Sequence, residues 1–267
     1  MTTIGMAAGY AMLVWWFTTG IILFLDGLPQ RTFPWSMAGA TVLLGIAAYT
    51  LRASSGDVSP SGAFTAFSCA IMVWGWLEMS FLMGFITGPR KQACRDKCGG
   101  AAHFLHATQA IIYNELATLT GAVLIYAATA GAPNRVAFWT YLVLWCMRLS
   151  AKLNLFFGVP NTGDQFLPPH LLYLKSFFSK RRMNFLFPIS ITASTIAAVV
   201  LVQKCFGVVD PFQITAYALV SSLLILAILE HWFMVLPLPT EKLWAWGMRN
   251  TGATPRLDPS RIVVKAP

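Results

Sequence analysis

The sequence predicts an all-α, polytopic transmembrane helical bundle of about seven spans, and three observations predict it. A mean hydropathy of +0.63, with 57% hydrophobic and 11% charged residues, lies beyond what a soluble domain of 267 residues tolerates. The apolar residues come in runs long enough to cross a bilayer, punctuated by Pro, Gly and charge. Basic residues crowd one set of alternate connections, the signature of a fixed membrane orientation.

In chain order the expected spans are about 4–25, 35–51, 61–87, 101–129, 135–157, 183–203 and 212–236. The first has no basic residue before it and no clear small-residue cleavage site, so it reads as a retained span rather than a signal peptide. Gly5 and Gly9, four apart within it, suit close helix packing. The second span is short and the fourth long. Between the fifth and sixth, Pro168 and Pro169 precede Leu171, Leu174, Phe177 and Phe178 and then a basic run, which predicts a short helix over about 168–180 in the membrane interface. Residues 1–250 form one transmembrane domain. The polar, aperiodic segment 251–267 is expected to be a flexible cytoplasmic tail.

Arg52, Arg135 and Lys204 are the three basic residues on one side. Fourteen lie on the other: Arg31, Arg90, Lys91, Arg95, Lys97, Lys175, Lys180, Arg181, Arg182, Lys242, Arg249, Arg256, Arg261 and Lys265. That asymmetry predicts a periplasmic N-terminus and a cytoplasmic C-terminus, in agreement with an odd number of spans. It also accounts for the net charge of +9 without nucleic acid, because the basic residues sit in short loops beside apolar runs. The lipid bilayer is the expected partner surface.

Ionisable groups cost roughly 2.5–3.5 kcal/mol each at a bilayer centre, so those inside the spans are the best candidates for function. They are Glu78 in the third span, His103, His106 and Glu115 in the fourth, Arg148 and Lys152 in the fifth, and Glu230 and His231 in the seventh. With Asn154, the orientation sets them between mid-membrane and the cytoplasmic surface, Glu115 nearest the middle. In the fourth span His103, His106, Gln109, Tyr113 and Asn114 share an arc of roughly 140°, which should face other helices. Three uses fit this layer. The imidazoles could ligate a metal, haem or chlorin; the carboxylates and histidines together could form a metal or proton-handling site; or the groups could pair across helices, Glu78 or Glu115 with Arg148 or Lys152, simply to hold the bundle together.

Cys94 and Cys98, followed by His103 and His106, are the ligand types of a tetrahedral zinc site, with Gly99-Gly100 supplying the turn between the pairs. The four-residue gap between Cys98 and His103 is tighter than usual zinc-finger spacing. The five cysteines, an odd number, imply no disulfide framework. Phosphate-binding and dinucleotide loops, H-E-x-x-H and G-x-S-x-G are all lacking from the sequence. Trp244 and Trp246 are candidates for the headgroup level.

Five segments carry a resemblance: Trp76–Arg90 (WLEMSFLMGFITGPR), His103–Ala117 (HFLHATQAIIYNELA), Arg148–Asn154 (RLSAKLN), Phe166–Phe178 (FLPPHLLYLKSFF) and Glu230–Pro239 (EHWFMVLPLP). They resemble the PuhE family, photosynthetic complex assembly proteins of purple bacteria, over roughly residues 1–250. The resemblance implies a multi-pass protein of the bacterial inner (cytoplasmic or intracytoplasmic) membrane. Such a protein would act in assembly of the reaction centre or light-harvesting complexes, handling bacteriochlorophyll or influencing its supply. Complex subunits or pigment-biosynthesis proteins would then be its partners. The resemblance implies no reaction and no catalytic residues. An alternative is a metal- or haem-dependent membrane enzyme of pigment formation that uses the carboxylate–histidine layer. A transporter ranks third, since no internal repeat is seen.

Overall fold

A proline preceded by a short polar cap starts two of the long helices where their apolar runs begin. Ser59 Oγ accepts the Gly62 backbone N–H at 3.1 Å ahead of Pro60, and the Asp210 carboxylate accepts that of Gln213 at 3.1 Å ahead of Pro211. The computed structural model describes residues 2–94 and 98–248. Those residues contain seven long helices: α1 (Thr2–Asp26), α2 (Phe33–Ala53), α3 (Pro60–Leu82), α4 (Gly100–Ala128), α5 (Val136–Phe157), α6 (Leu186–Gly207) and α7 (Pro211–Phe233). Among the described residues there is no strand. The expected tail, 251–267, lies outside the described residues.

Six of the seven helices are long and apolar enough to cross a membrane. The exception, α5, carries Arg148 and Lys152 and falls short of that apolarity. One side of it packs into the bundle while Trp139, Cys146 and Leu149 stay exposed: α3, α5 and α7 pack on one another at the centre, α1 and α6 lie against α7, α2 lies against α3, and α4 packs on α3 and α5. Phe67, Tyr141, Leu219 and Leu223 are fully buried in this core. The outer faces of α1, α2, α4 and α6 carry exposed Leu, Val, Ile, Met and Phe side chains, as a lipid-facing surface should.

Several expectations are corrected at residue scale. Gly5 and Gly9 are exposed with open space around them, and the close-packed face of α1 is formed by Ala7 and Ala11, also four apart but on another side of the helix. Span three was expected to reach residue 87, yet α3 ends at Leu82. The chain turns at Gly84, whose φ of +81° suits glycine, and residues 83–90 then run back against α4. Span seven, expected to reach 236, ends as α7 at Phe233. Residues Pro169–Phe177 form a 3₁₀ helix. Its three-residue turn aligns Leu171, Leu174 and Phe177, and all three are buried against Phe81 and Ala110 of the bundle.

Two asparagines pin the helix starts to distant backbone. Asn134 Oδ1 accepts from the Val136 N–H while its Nδ2 donates to the Asp57 and Gly62 carbonyls. Asn184 does the same at α6, accepting from Leu186 and Phe187 and donating to the Asn154 and Gly158 carbonyls. The connecting segments 83–94, 158–185 and 234–248 gather at the end of the bundle opposite Asn134. They are stitched together by the Cys94 N–H to Ser176 Oγ bond (2.8 Å), the Asn161 N–H to Met234 carbonyl bond (3.0 Å) and the Trp16 indole to Leu243 carbonyl bond (2.8 Å).

Candidate functional site

Glu78 of α3, Glu115 of α4, Arg148 and Lys152 of α5, and Glu230 and His231 of α7 meet on one cavity of about 1070 Å³ at that crowded end. Helical spacing explains how α5 reaches it twice: Arg148 and Lys152 are four apart and share a face. Arg148 Nη2 donates to Glu78 Oε2 at 2.8 Å, and Lys152 Nζ donates to Glu115 Oε1 at 2.6 Å. The Lys152 ammonium also stands 5.3 Å from the centre of the Phe81 ring. The two ion pairs foreseen among the possible pairings are therefore formed, in one defined register.

Glu230 and His231 line the same cavity and take neutral partners. The Trp15 indole N–H of α1 donates to Glu230 Oε1 at 2.9 Å. His231 Nδ1 lies 2.9 Å from the Ala227 carbonyl, which can only accept, so Nδ1 carries the proton. Nε2 is then the lone-pair nitrogen and accepts from Ser150 Oγ at 3.0 Å. The remaining wall is largely aromatic and aliphatic, with Trp15, Trp74, Phe104, Phe156, Phe177 and Trp244 among its residues. A site of this size and lining suits one large, mostly apolar ligand held at a few polar points.

Not every residue of the expected layer joins it. Asn114 and Asn154 are buried but are absent from the cavity wall; the Asn114 N–H donates to the Thr87 carbonyl, and Asn154 Nδ2 to the Ser150 carbonyl. Tyr113 is 53% exposed on the outer face, because the inward face of α4 is set by Ala110, Asn114, Thr118 and Ala122 at four-residue intervals. His103 and His106 do not line the cavity either. They turn to the cysteines: His106 Nδ1 is 3.1 Å from Cys98 Sγ and 3.6 Å from Cys94 Sγ, and His103 Nδ1 is 3.3 Å from Cys94 Sγ. The Cys94 side chain beside it raises the Cys98 thiol above its ordinary pKa. Among the described residues this Cys/His group is where three potential metal ligands converge; the carboxylates of the cavity form no such group.

The sequence reading missed Trp15, whose value lies in a contact across 215 positions, and the loop that closes the cavity. In that loop Lys175 hydrogen-bonds Asp164 and holds its carboxyl below the usual range, and Asn161 Nδ2 binds the Phe233 carbonyl. Trp244, expected at the headgroups, is buried: its ring lies 5.4 Å from Trp15 and its N–H donates to the Trp16 carbonyl. Segment 240–248 doubles back along α1, where Gly20 and Gly247 leave room that a Cβ on either would fill. Trp246 also lies there, on Phe17, 46% exposed.

No solved structure matches the chain. It is 39% identical over 240 residues to a protein of Rhodobacter capsulatus described as "Uncharacterized 30.4 kDa protein in puhA 5'region", an alignment that spans 88% of this chain and 87% of the relative. A family described as "Protein of unknown function (DUF3623)" matches residues 1–254, the whole bundle and every cavity residue, so the chain belongs to the DUF3623 family.

Proposed function

We propose that this protein is an assembly factor of the bacterial inner membrane that holds bacteriochlorophyll, or a late precursor of it, for delivery to photosynthetic complexes. The cavity is the observation that carries the reading: about 1070 Å³ of mainly apolar and aromatic lining, interrupted by two ion pairs, a carboxyl and an imidazole. A chlorin needs a flat apolar slot, polar points for its carbonyl substituents and a nitrogen donor for its metal. His231 Nε2 is the donor available at this cavity, with Ser150 Oγ as the group to be displaced. The relative's place in the puhA 5' region supports the same context. So does the resemblance to the PuhE family.

In this reading α5 is the seventh crossing, its two cations made tolerable by Glu78 and Glu115, and the cavity opens toward the cytoplasmic leaflet where new pigment arrives. Chlorin is expected to copurify with the protein isolated gently from pigmented membranes. It should be lost when Gly75, which lines the cavity, is replaced in Gly75→Phe. A deletion strain should keep normal pigment chemistry but assemble fewer complexes. Accumulation of one defined precursor in that strain would point instead to an enzyme, and pigment-free protein together with normal complexes would overturn the proposal.

A further inference from the structure

We propose that Cys94, Cys98, His103 and His106 bind a zinc ion, a structural centre separate from the cavity and independent of what the cavity holds. Cys94 Sγ, Cys98 Sγ and a ring nitrogen of His106 all lie within 4.8 Å of one another. His103, one turn earlier on the same face of α4, stands just outside that close set with its Nδ1 3.3 Å from Cys94 Sγ, and a turn of its ring toward the other three would make it the fourth ligand. Zinc with Zn–S bonds of about 2.3 Å and Zn–N bonds of about 2.0 Å sets its tetrahedral ligand atoms roughly 3.5 Å apart. The thiol–imidazole separations of 3.1, 3.3 and 3.6 Å match that spacing. One thiol–imidazole hydrogen bond would explain one such contact. Two thiols and the His106 imidazole turned toward one another, with the His103 imidazole on Cys94, supply the donor set of a closed ligand shell.

The surroundings fit a structural role. The Cys94 N–H is held by Ser176 Oγ, which itself donates to the Tyr173 carbonyl. The His103 ring lies 5.4 Å from Phe156 and 5.6 Å from Phe177, and both phenylalanines form part of the cavity wall. The ion would thus tie the loop before α4, the first turns of α4, the end of α5 and the 3₁₀ segment into one unit behind that wall. Two thiolates and two neutral imidazoles are soft, uncharged overall with zinc, and leave no open coordination position, the pattern of structural rather than catalytic sites.

The test is metal analysis of the full-length protein purified in reductant without chelator, together with cobalt reconstitution. About one zinc per chain is expected. Zinc should fall to background in Cys94→Ser and His106→Ala, and persist in Cys146→Ser, which removes an exposed thiol outside the cluster. Cobalt in the unsubstituted chain should give a thiolate charge-transfer band and the intense visible bands of a tetrahedral centre, a result that stands even if the variants fail to fold. A zinc-free protein that takes up no cobalt after reduction would overturn the proposal. Zinc retained in both ligand variants would do so too, as would a Cys94–Cys98 disulfide trapped by thiol-blocking reagents added directly to membranes.

Discussion

Lys152 and Glu115 are each about one-fifth exposed or less, and each is the other's ion partner at 2.6 Å, so neither can lose its mate without leaving a poorly solvated charge. Replacing one partner of a buried pair typically costs about 3–5 kcal/mol, whereas replacing both by apolar groups is often close to neutral. Lys152→Met is therefore expected to destabilise the detergent-solubilised protein by about 3 kcal/mol, and Glu115→Leu with Lys152→Met to recover most of that loss. Reversible denaturant titration of the two variants reads the difference; equal destabilisation by the single and double changes would show that the pair is not what holds these residues. That such residues would pair was legible from their cost inside apolar runs. Which carboxylate takes which cation was not, because Glu78 and Glu115 are both within reach of α5 on sequence grounds, and only the packing of α3 and α4 on α5 separates them.

At the scale of elements, the return of residues 83–90 along α4 is the feature most dependent on a single residue. A Cβ on Gly88 would lie 2.1 Å from the Gln109 carbonyl oxygen and 2.6 Å from the Ala110 carbonyl carbon. Those atoms are backbone and cannot swing aside. The contact lets the Arg90 N–H reach the Gln109 carbonyl and the Asn114 N–H reach the Thr87 carbonyl, so the helix lends hydrogen bonds to the strap beside it. Gly88→Ala is expected to cost about 2–3 kcal/mol, the upper range for overpacking. A lowered thermal midpoint would show it, and an unchanged midpoint would mean that the strap does not depend on this approach. The sequence reading continued span three through this strap, since Phe85 and Ile86 keep it apolar; hydropathy measures composition and is blind to the turn at Gly84.

At the scale of the molecule, the orientation derived from basic residues makes a prediction about α5, the helix of least apolar composition. Alkaline phosphatase fused after Gly131, between α4 and α5, should be active, and the same enzyme fused after Gly163, beyond α5, should be inactive. Equal activity at both points would mean that α5 does not cross, and reversed activities that the bundle is inverted. The all-α architecture, the existence of seven long helices and the residues worth watching within them were determined by the sequence, because apolar run length and the cost of a buried charge are local properties. Tertiary structure alone decided how those residues were sorted: Glu78, Glu115, Arg148, Lys152, Glu230 and His231 went to a cavity, His103 and His106 to the cysteines, and Tyr113 to the outer face. It also brought in Trp15 and Trp244. The physical reason is that a helix fixes which residues share its face, while the face that turns inward is chosen by the neighbours it packs against, and those contacts join positions more than two hundred residues apart.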